Sequence, residues 1–399
     1  MFRSLVVRSA AILAVLSLLL ASASALWAET IARCGQGWLE SIDGYLVLHV
    51  KGTPYEMGAQ HGALLKDHIG DNLRYLLDVK HLTKTKLGQL PFSPKAAIGS
   101  IIKFQEPFVP QKYFEEIAGL AAGSGIDREE LRVANFIPEL FHCSGFAVMN
   151  SATKDGTLYH GRVLDYSVDW QLQNHALLLV AEPAGGVPFV NVTYAGFIGC
   201  VTGMNAESIS VGEMGGGGLG HWQGMPMALL VREALAAHDL DGAIAVFRDH
   251  PRTCQYFYVV TDGKTNRAVG MEASWNKFDL VQPGQSHPLL PHGIKDTVLV
   301  SAGARYEELA RRVNDGFGTF DAESARKLMD CPVAMQSNLH DVLFAPKSTD
   351  LWIANASRGD QPQPAAKQPY HKFNLRELLQ RQPDPGAKEI PLSRGDQPQ

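Results

Sequence analysis

An α+β fold, with helices packed on stacked antiparallel sheets, is predicted by two changes of pattern along the chain. From Pro54 to Glu139 the apolar residues recur mostly at helical spacing. After Cys143 the pattern becomes short β-rich runs joined by tight turns, interrupted by a single pair of helices.

The first stretch, MFRSLVVRSAAILAVLSLLLASASALWAET, has Arg3 and Arg8 ahead of an apolar run and then small residues ending at Ala25 or Ala28. This is the pattern of a signal peptide, residues 1–28, and it places the mature protein in the periplasm or outside the cell. A transmembrane anchor is the rival reading, but the apolar run is short and ends in A-x-A at Ala23 and Ala25. No later segment is long and apolar enough to span a bilayer, so no stable membrane anchor is expected after signal removal. The rest of the 399 residues suffices for one large or two ordinary domains with a sizeable core.

Hydrophobic residues make up 45% of the chain and the formal net charge is −5, a globular composition without a Lys/Arg stripe. That excludes an electrostatic footprint for nucleic acid or anionic membrane and points to small-molecule partners. Cys34, Cys143, Cys200, Cys254 and Cys331 lack C-x-x-C spacing, which argues against a zinc ribbon or a thioredoxin-like motif. An odd count leaves at least one thiol free, and Cys143 is the candidate. The other four read either as buried small hydrophobes or as two disulfides.

In order, GYLVLHV (Gly44 to Val50) reads as a strand and residues 51–79 as a helix. In that helix Thr53 and Glu56 form a capping box, Pro54 opens the first turn, and Met57, His61, Leu64, Leu65, Ile69, Leu73 and Leu76 share a face. His61 and His68 lie seven apart with no third ligand in view, so they read as a partly buried and a surface histidine. Lys154-Asp155-Gly156, Pro183 to Gly186 and Asp262-Gly263-Lys264 turn three hairpins. MPMALLVREALAAH and DGAIAVFRDH are the helical pair, and SNLHDVLFAPKSTDLWIANAS is the last hairpin.

GEMGGGGLGHWQG (Gly212 to Gly224) carries glycines at dinucleotide-fingerprint spacing, but in an antiparallel setting that reading fails. What remains is a loop letting backbone approach a ligand, or a flexible connection. From about Gln361 the chain is rich in Pro and Gln, and residues 381–399 read as a disordered tail. SRGDQPQ occurs at Ser357 to Gln363 and again at Ser393 to Gln399; the RGD triplet alone is weak grounds for adhesion.

Cys143 heads the hairpin FHCSGFAVMNSATKDGTLYHGRVLDYSVDW, which ends in Arg162 and Asp165. This arrangement resembles the N-terminal-nucleophile cysteine hydrolases, and in particular the acyl-coenzyme A:6-aminopenicillanic acid (isopenicillin N) acyltransferase family. The resemblance runs from GTPYEMGAQHG through HCSGFAV, KDGTLYHGRVLDY, GMNAESISVGE, YFYVVTDGKTNRAVGMEAS and ARYEEL to SNLHDVLFAP. It implies a four-layer αββα sandwich and self-cleavage between His142 and Cys143. An α chain, residues 29–142, and a β chain, 143–380, would then stay associated, with Cys143 as the new N-terminus.

The implied chemistry follows from that terminus. A thiol of pKa ~8.5 is mostly protonated at neutral pH, and a free α-amino group of pKa ~8 on the same residue serves as its general base. Arg162 favours the thiolate and Asp165 holds the α-ammonium. The thiolate attacks an acyl carbon, forms a thioester, and water or an amine resolves it. No metal or organic cofactor is implied. Asn205, in GMNAES, matches a recurrent family asparagine that is either an oxyanion donor or structural, and Arg305 matches a later active-site arginine. Ser301 and Ala302 replace the family's usual amide-bearing pair, and His340 reads as structural.

Each assignment has a duller reading: a cysteine following a histidine is commonly just buried, and Arg-x-x-Asp is commonly a surface ion pair. A papain-like enzyme lacks its C-G-S-C-W context here, and a catalytically inactive binding protein of the same fold is the other alternative. Tyr166, Trp170, Trp222, Met225 and Met227 read as an apolar pocket rim or as core. The expected substrate is a small N-acyl amine or N-acyl amino acid, hydrolysed outside the reach of coenzyme A thioesters; transfer from an acyl-coenzyme A donor is the alternative.

Overall fold

The computed structural model describes residues 28–76, 94–136, 143–218, 220–359 and 361–392, with backbone alone at 94–98 and 100. The signal-peptide pattern up to residue 27, His142 and the second SRGDQPQ copy therefore lie outside the described residues.

Three antiparallel strands come first: β1 (Ala28–Cys34), β2 (Gly37–Ile42) and β3 (Tyr45–Gly52). Thr53 then caps α1 (Pro54–Leu64), accepting from the Glu56 N–H while the Glu56 carboxylate returns to the Thr53 N–H. The single helix expected over 51–79 is divided at Leu65, whose ψ of 22° leaves the helical range before α2 (Lys66–Arg74). Helices α3 (Pro94–Gln105), α4 (Gln111–Ser124) and α5 (Arg128–Phe136) follow. α1 and α4 meet backbone to backbone: a Cβ added at Gly58 would stand 1.9 Å from the Glu116 carbonyl oxygen, and one at Gly119 2.0 Å from that of Tyr55.

The hairpin headed by Cys143 is β4 (Ser144–Asn150) with β5 (Gly156–Leu164). After it come β6 (Ala176–Pro183), β7 (Phe189–Tyr194), β8 (Thr202–Asn205) and β9 (Ile209–Gly217), then the helical pair α6 (Met227–Ala234) and α7 (Leu240–Asp249). β10 (Gln255–Asp262), β11 (Arg267–Ser274), β12 (Phe278–Val281) and β13 (Thr297–Val300) precede α8 (Gly303–Asp315) and α9 (Ala322–Lys327). The chain closes with β14 (His340–Ala345), β15 (Asp350–Asn355), β16 (His371–Asn374), α10 (Leu375–Gln380) and β17 (Lys388–Glu389).

Among the described residues these strands make an eleven-stranded sheet, ordered β12-β11-β10-β9-β8-β7-β6-β3-β2-β1-β17, and a six-stranded one, β13-β4-β5-β14-β15-β16. The two stack through β4 on β9 and β10, β5 on β9, and β13 on β11. α1, α6 and α7 cover the outer face of the larger sheet, while α8 and α9 cover the smaller. The result is the expected αββα sandwich. It is not wholly antiparallel, because β6 returns to pair with β3 in parallel, Leu179 beside Leu48.

One further expectation is corrected, and one open alternative is decided. The tail is not disordered over 381–392: β17 pairs with β1, the Ile390 N–H donates to the Arg33 carbonyl at 2.8 Å, and Arg381 forks onto buried Glu40 at 2.8 and 2.6 Å. The free edge of β1 and an otherwise half-paired buried carboxylate bind a segment whose composition alone suggested solvation. The cysteines form no bridges: none of the five is in a disulfide, and Cys34, Cys200 and Cys254 are buried as small hydrophobes. No described helix is long and apolar enough to cross a membrane.

Candidate active site

Cys143 stands immediately before β4 and is 4% exposed. Strand pairing sets Gly145 beside Arg162 and Ser144 beside Val163, so Cys143 and Asp165 emerge together where the hairpin strands end. Sequence spacing anticipated this juxtaposition. It holds because the turn at 151–155 fixes the register and one register step would turn every side chain to the other face.

Arg162 has no exposed surface and reaches across to the other sheet. Its Nε donates to the Glu213 carbonyl at 3.1 Å and its Nη2 to Glu213 Oε2 at 3.3 Å, and Glu213 is itself 1% exposed. Glu213 was missed as a site residue. Its signal was available: it is the one charge in the small and apolar strand ISVGEMGGG, where only a buried partner could sustain it.

Asp165 accepts from the Met335 N–H at 2.8 Å on Oδ1 and from Arg305 on Oδ2. The same guanidinium approaches Ser144 Oγ at 3.4 Å and the Val333 carbonyl at 3.3 Å. Arg305, from the first turn of α8, is thus brought to the hairpin's end. Burial lifts the Asp165 carboxyl to about 6, against the opposing pull of Arg305. Burial likewise pushes the Cys143 thiol up to about 12; Arg162 pulls it down, while Glu213 and Asp165 push it further up. At neutral pH, therefore, the thiol is protonated.

Asn205 is not brought to the cysteine. Its amide group donates to the Leu235 and Ala237 carbonyls at 2.9 and 2.8 Å, and its oxygen accepts from the Ile209 N–H at 2.9 Å. It clamps the β8–β9 turn. Met214, which packs against Gly145, lies five residues along β9 from Ile209, about 17 Å at the rise of a strand. The structural alternative for Asn205 holds.

The pairing of Val300 with Gly145 carries on past β13. Ser301 comes beside Ser144, their hydroxyl oxygens 2.7 Å apart, and Ala302 comes beside Cys143. Ser301 and Ala302 are thus in register with Ser144 and Cys143, and they offer a hydroxyl and a methyl group but no side-chain amide. His340 is structural, its ring nitrogens 3.0 Å from the Tyr194 and Thr202 hydroxyls across the sheets. His61 is fully buried and accepts from the Gly196 N–H at 3.0 Å. His68 is half-buried, facing His175 at 3.3 Å.

The glycine run is not a loose connection throughout. Gly215 to Gly217 belong to β9, while Gly218 and Gly220 take φ of 71° and 100° beyond it. Met225 and Met227 are core. Tyr166 and Trp170, rings 5.8 Å apart, pack against the cluster that contains Cys143. Trp222 lines a cavity of about 220 Å³ with Phe104, His221 and Trp275.

A family model described as acyl-coenzyme A:6-aminopenicillanic acid acyl-transferase matches residues 151–358, which include Arg162, Asp165, Asn205, Glu213 and Arg305. Protein dcd1B of Dictyostelium discoideum is 26% identical over 377 residues, covering 84% of this chain and 75% of that protein. The N-acylethanolamine-hydrolyzing acid amidase of Rattus norvegicus is 25% identical over 175 residues, 41% of this chain and 47% of the amidase. A solved Caenorhabditis elegans orthologue of that amidase shares 16% identity over 51% of this chain and 93% of its own, with a TM-score of 0.41.

Proposed function

This chain belongs to the acyl-coenzyme A:6-aminopenicillanic acid acyltransferase family, and from that premise we propose that it is an exported, self-processing cysteine amidohydrolase of small N-acyl amines or N-acyl amino acids. The observation that carries the reading is Cys143 at the head of β4, flanked by the buried Arg162–Glu213 pair and by Asp165 held by Arg305. Export rests on the N-terminal sequence pattern.

Processing accounts for the protonated thiol. Cys143 Sγ attacks the His142 carbonyl carbon, the C–N bond breaks, and the Cys143 nitrogen leaves as a free amine. Water then hydrolyses the resulting ester of the thiol, leaving a carboxylate on His142. The released amine is the base that the uncut chain lacks, and Asp165 holds its protonated form. In turnover the thiol gives its proton to that amine and attacks the substrate carbonyl, and the resulting ammonium returns the proton to the departing nitrogen. Water resolves the thioester. Arg162 supports the thiolate, and Glu213 fixes the guanidinium in place.

N-terminal sequencing of the mature protein is the first test, with a fragment beginning Cys-Ser-Gly-Phe as the expected result and Cys143→Ala as a single uncut chain on a denaturing gel. An uncut wild type from its native compartment ends the self-processing reading. A panel of N-acyl substrates with a chelator and with a thiol alkylator tests the chemistry. Turnover that survives the alkylator contradicts a cysteine nucleophile, and transfer from acyl-coenzyme A far above hydrolysis makes the protein an acyltransferase.

A further inference from the structure

A charged cluster on the inner face of the larger sheet takes no part in the chemistry above. Glu272 on β11 is buried; Gln255 donates to its Oε1, and Lys277 Nζ lies 2.6 Å from its Oε2. The same ammonium stands 2.7 Å from Asp279 Oδ2. His287 closes the cluster and is more than nine-tenths buried. Its Nε2 is 3.2 Å from Glu272 and 3.5 Å from Asp279, yet it makes no hydrogen bond. Two carboxylates thus face one ammonium, and the buried ring nitrogen stands beside both without full hydrogen-bond geometry to either.

The cluster shares a sheet row with Met214, which packs on the strand headed by Cys143. Glu272 pairs with Phe257, and Phe257 with Met214, so the three cross the sheet in a row. At ~4.8 Å per strand, Glu272 is about 10 Å from Met214. Met214 in turn packs on Gly145, two residues from Cys143: a Cβ added at Gly145 would lie 2.7 Å from its sulfur. Two residues before Glu272, a Cβ at Gly270 would lie 2.8 Å from Val298 on β13. Strand alternation therefore turns Glu272 toward the same space between the sheets.

We propose that Glu272 and Asp279 bind a second, protonated amine carried by the substrate, about 10 Å across the sheet from the Met214 that packs on the strand of Cys143, and that the Lys277 ammonium marks its place in the free enzyme. The proposal rests on the amidohydrolase reading and deepens it: the substrate class is an N-acylated diamine or dibasic amino acid. The surplus negative charge selects a cation over a carboxylate. His287 selects an organic ammonium over a metal ion, because its Nδ1 accepts the Leu289 N–H at 3.2 Å and so leaves the ring proton on Nε2, with no lone pair to give. The Lys277 side chain is 45% exposed on a flexible stem, so it swings into water as a substrate ammonium takes over its contacts.

The test is a matched pair of amides, N-acylcadaverine and N-acylhexylamine, which differ only by ammonium against methyl. Wild type is expected to prefer the ammonium in kcat/KM by on the order of tenfold or more. Glu272→Gln should bring the ratio toward one, and Lys277→Met, at an exposed position, should raise it by removing the internal competitor. Free cadaverine should raise the melting temperature of wild type, and more so that of Lys277→Met, while uncharged 1,5-pentanediol should not. Equal rates on the two amides, or a lower ratio in Lys277→Met, overturn the proposal and leave amidohydrolysis standing. If neither amide turns over, the amidohydrolase reading is what has failed for this pair, and the cadaverine melts alone decide the ammonium site.

Discussion

A guanidinium with no exposed surface, as at Arg162, is sustained only because Glu213 and a strand carbonyl face it. Removing one partner of such a pair leaves a buried charge uncompensated and costs about 3 to 5 kcal/mol. Arg162→Ala and Glu213→Gln should therefore lower both melting temperature and turnover. The lowered melting temperature of Arg162→Ala follows from its complete burial, and calorimetry of the variant checks it. Asp165→Asn keeps the size of the side chain and should lose mainly turnover. Asp165 also sets a pH dependence. Its folded pKa of about 6 lies above the ordinary 3.8, so the native state holds the proton more tightly than the unfolded chain. Its contribution to stability is complete below about 4 and is lost as pH rises through about 6. In the uncut Cys143→Ala chain this decline should be visible in denaturant titrations and vanish with Asp165→Asn. Turnover runs the other way, because the α-ammonium needs the carboxylate. The mature enzyme should show an acid limb in kcat/KM at or below about 6, the added ammonium drawing it downward.

At the scale of elements, α1 and α4 pack so closely that their crossing has room only for glycine. Gly58 and Gly62 face Gly119 and Gly123, each within 2.5 Å of opposing backbone once a Cβ is built. Gly58→Ala or Gly119→Ala should cost about 1 to 3 kcal/mol or more, because backbone cannot move aside as a side-chain end can. Gly70, on neighbouring α2, has nothing within 4 Å. Gly70→Ala should be neutral or stabilise by up to about 1 kcal/mol, since it only removes freedom from the unfolded chain. Thermal melts of the variants side by side check the contrast. The β4–β5 hairpin shows the opposite economy of information: a local turn and a two-residue period were enough to set Cys143, Arg162 and Asp165 at one end.

Across the whole molecule the C-terminal segment acts as a strap. Arg381 completes the partners of Glu40, which His49 also meets at 2.8 Å, and β17 covers the edge of β1. Truncation after Gln380 should cost about 1 to 3 kcal/mol by stripping a buried carboxylate of its charged donor; an unchanged melting temperature would place that contact outside the folded state's needs. The sequence by itself determined the capping box, the turns, the hairpin with its cysteine and the order of motifs, because these depend on neighbours a few residues apart. Its resemblance pointed to the four layers. Tertiary structure alone decided which sheet positions face each other. Glu213, fifty-one residues from Arg162, became its partner only when β9 stacked on β5. Asn205 was drawn to the far end of β9 by the carbonyls of Leu235 and Ala237, and Ala302 was set in register with Cys143 by β13. The polar tail joined the sheet because an unpaired strand edge and a buried carboxylate lay elsewhere in the chain. Periodicity records which face of an element is apolar, but the partner across a sheet stack is chosen by burial and charge summed over the assembled layers.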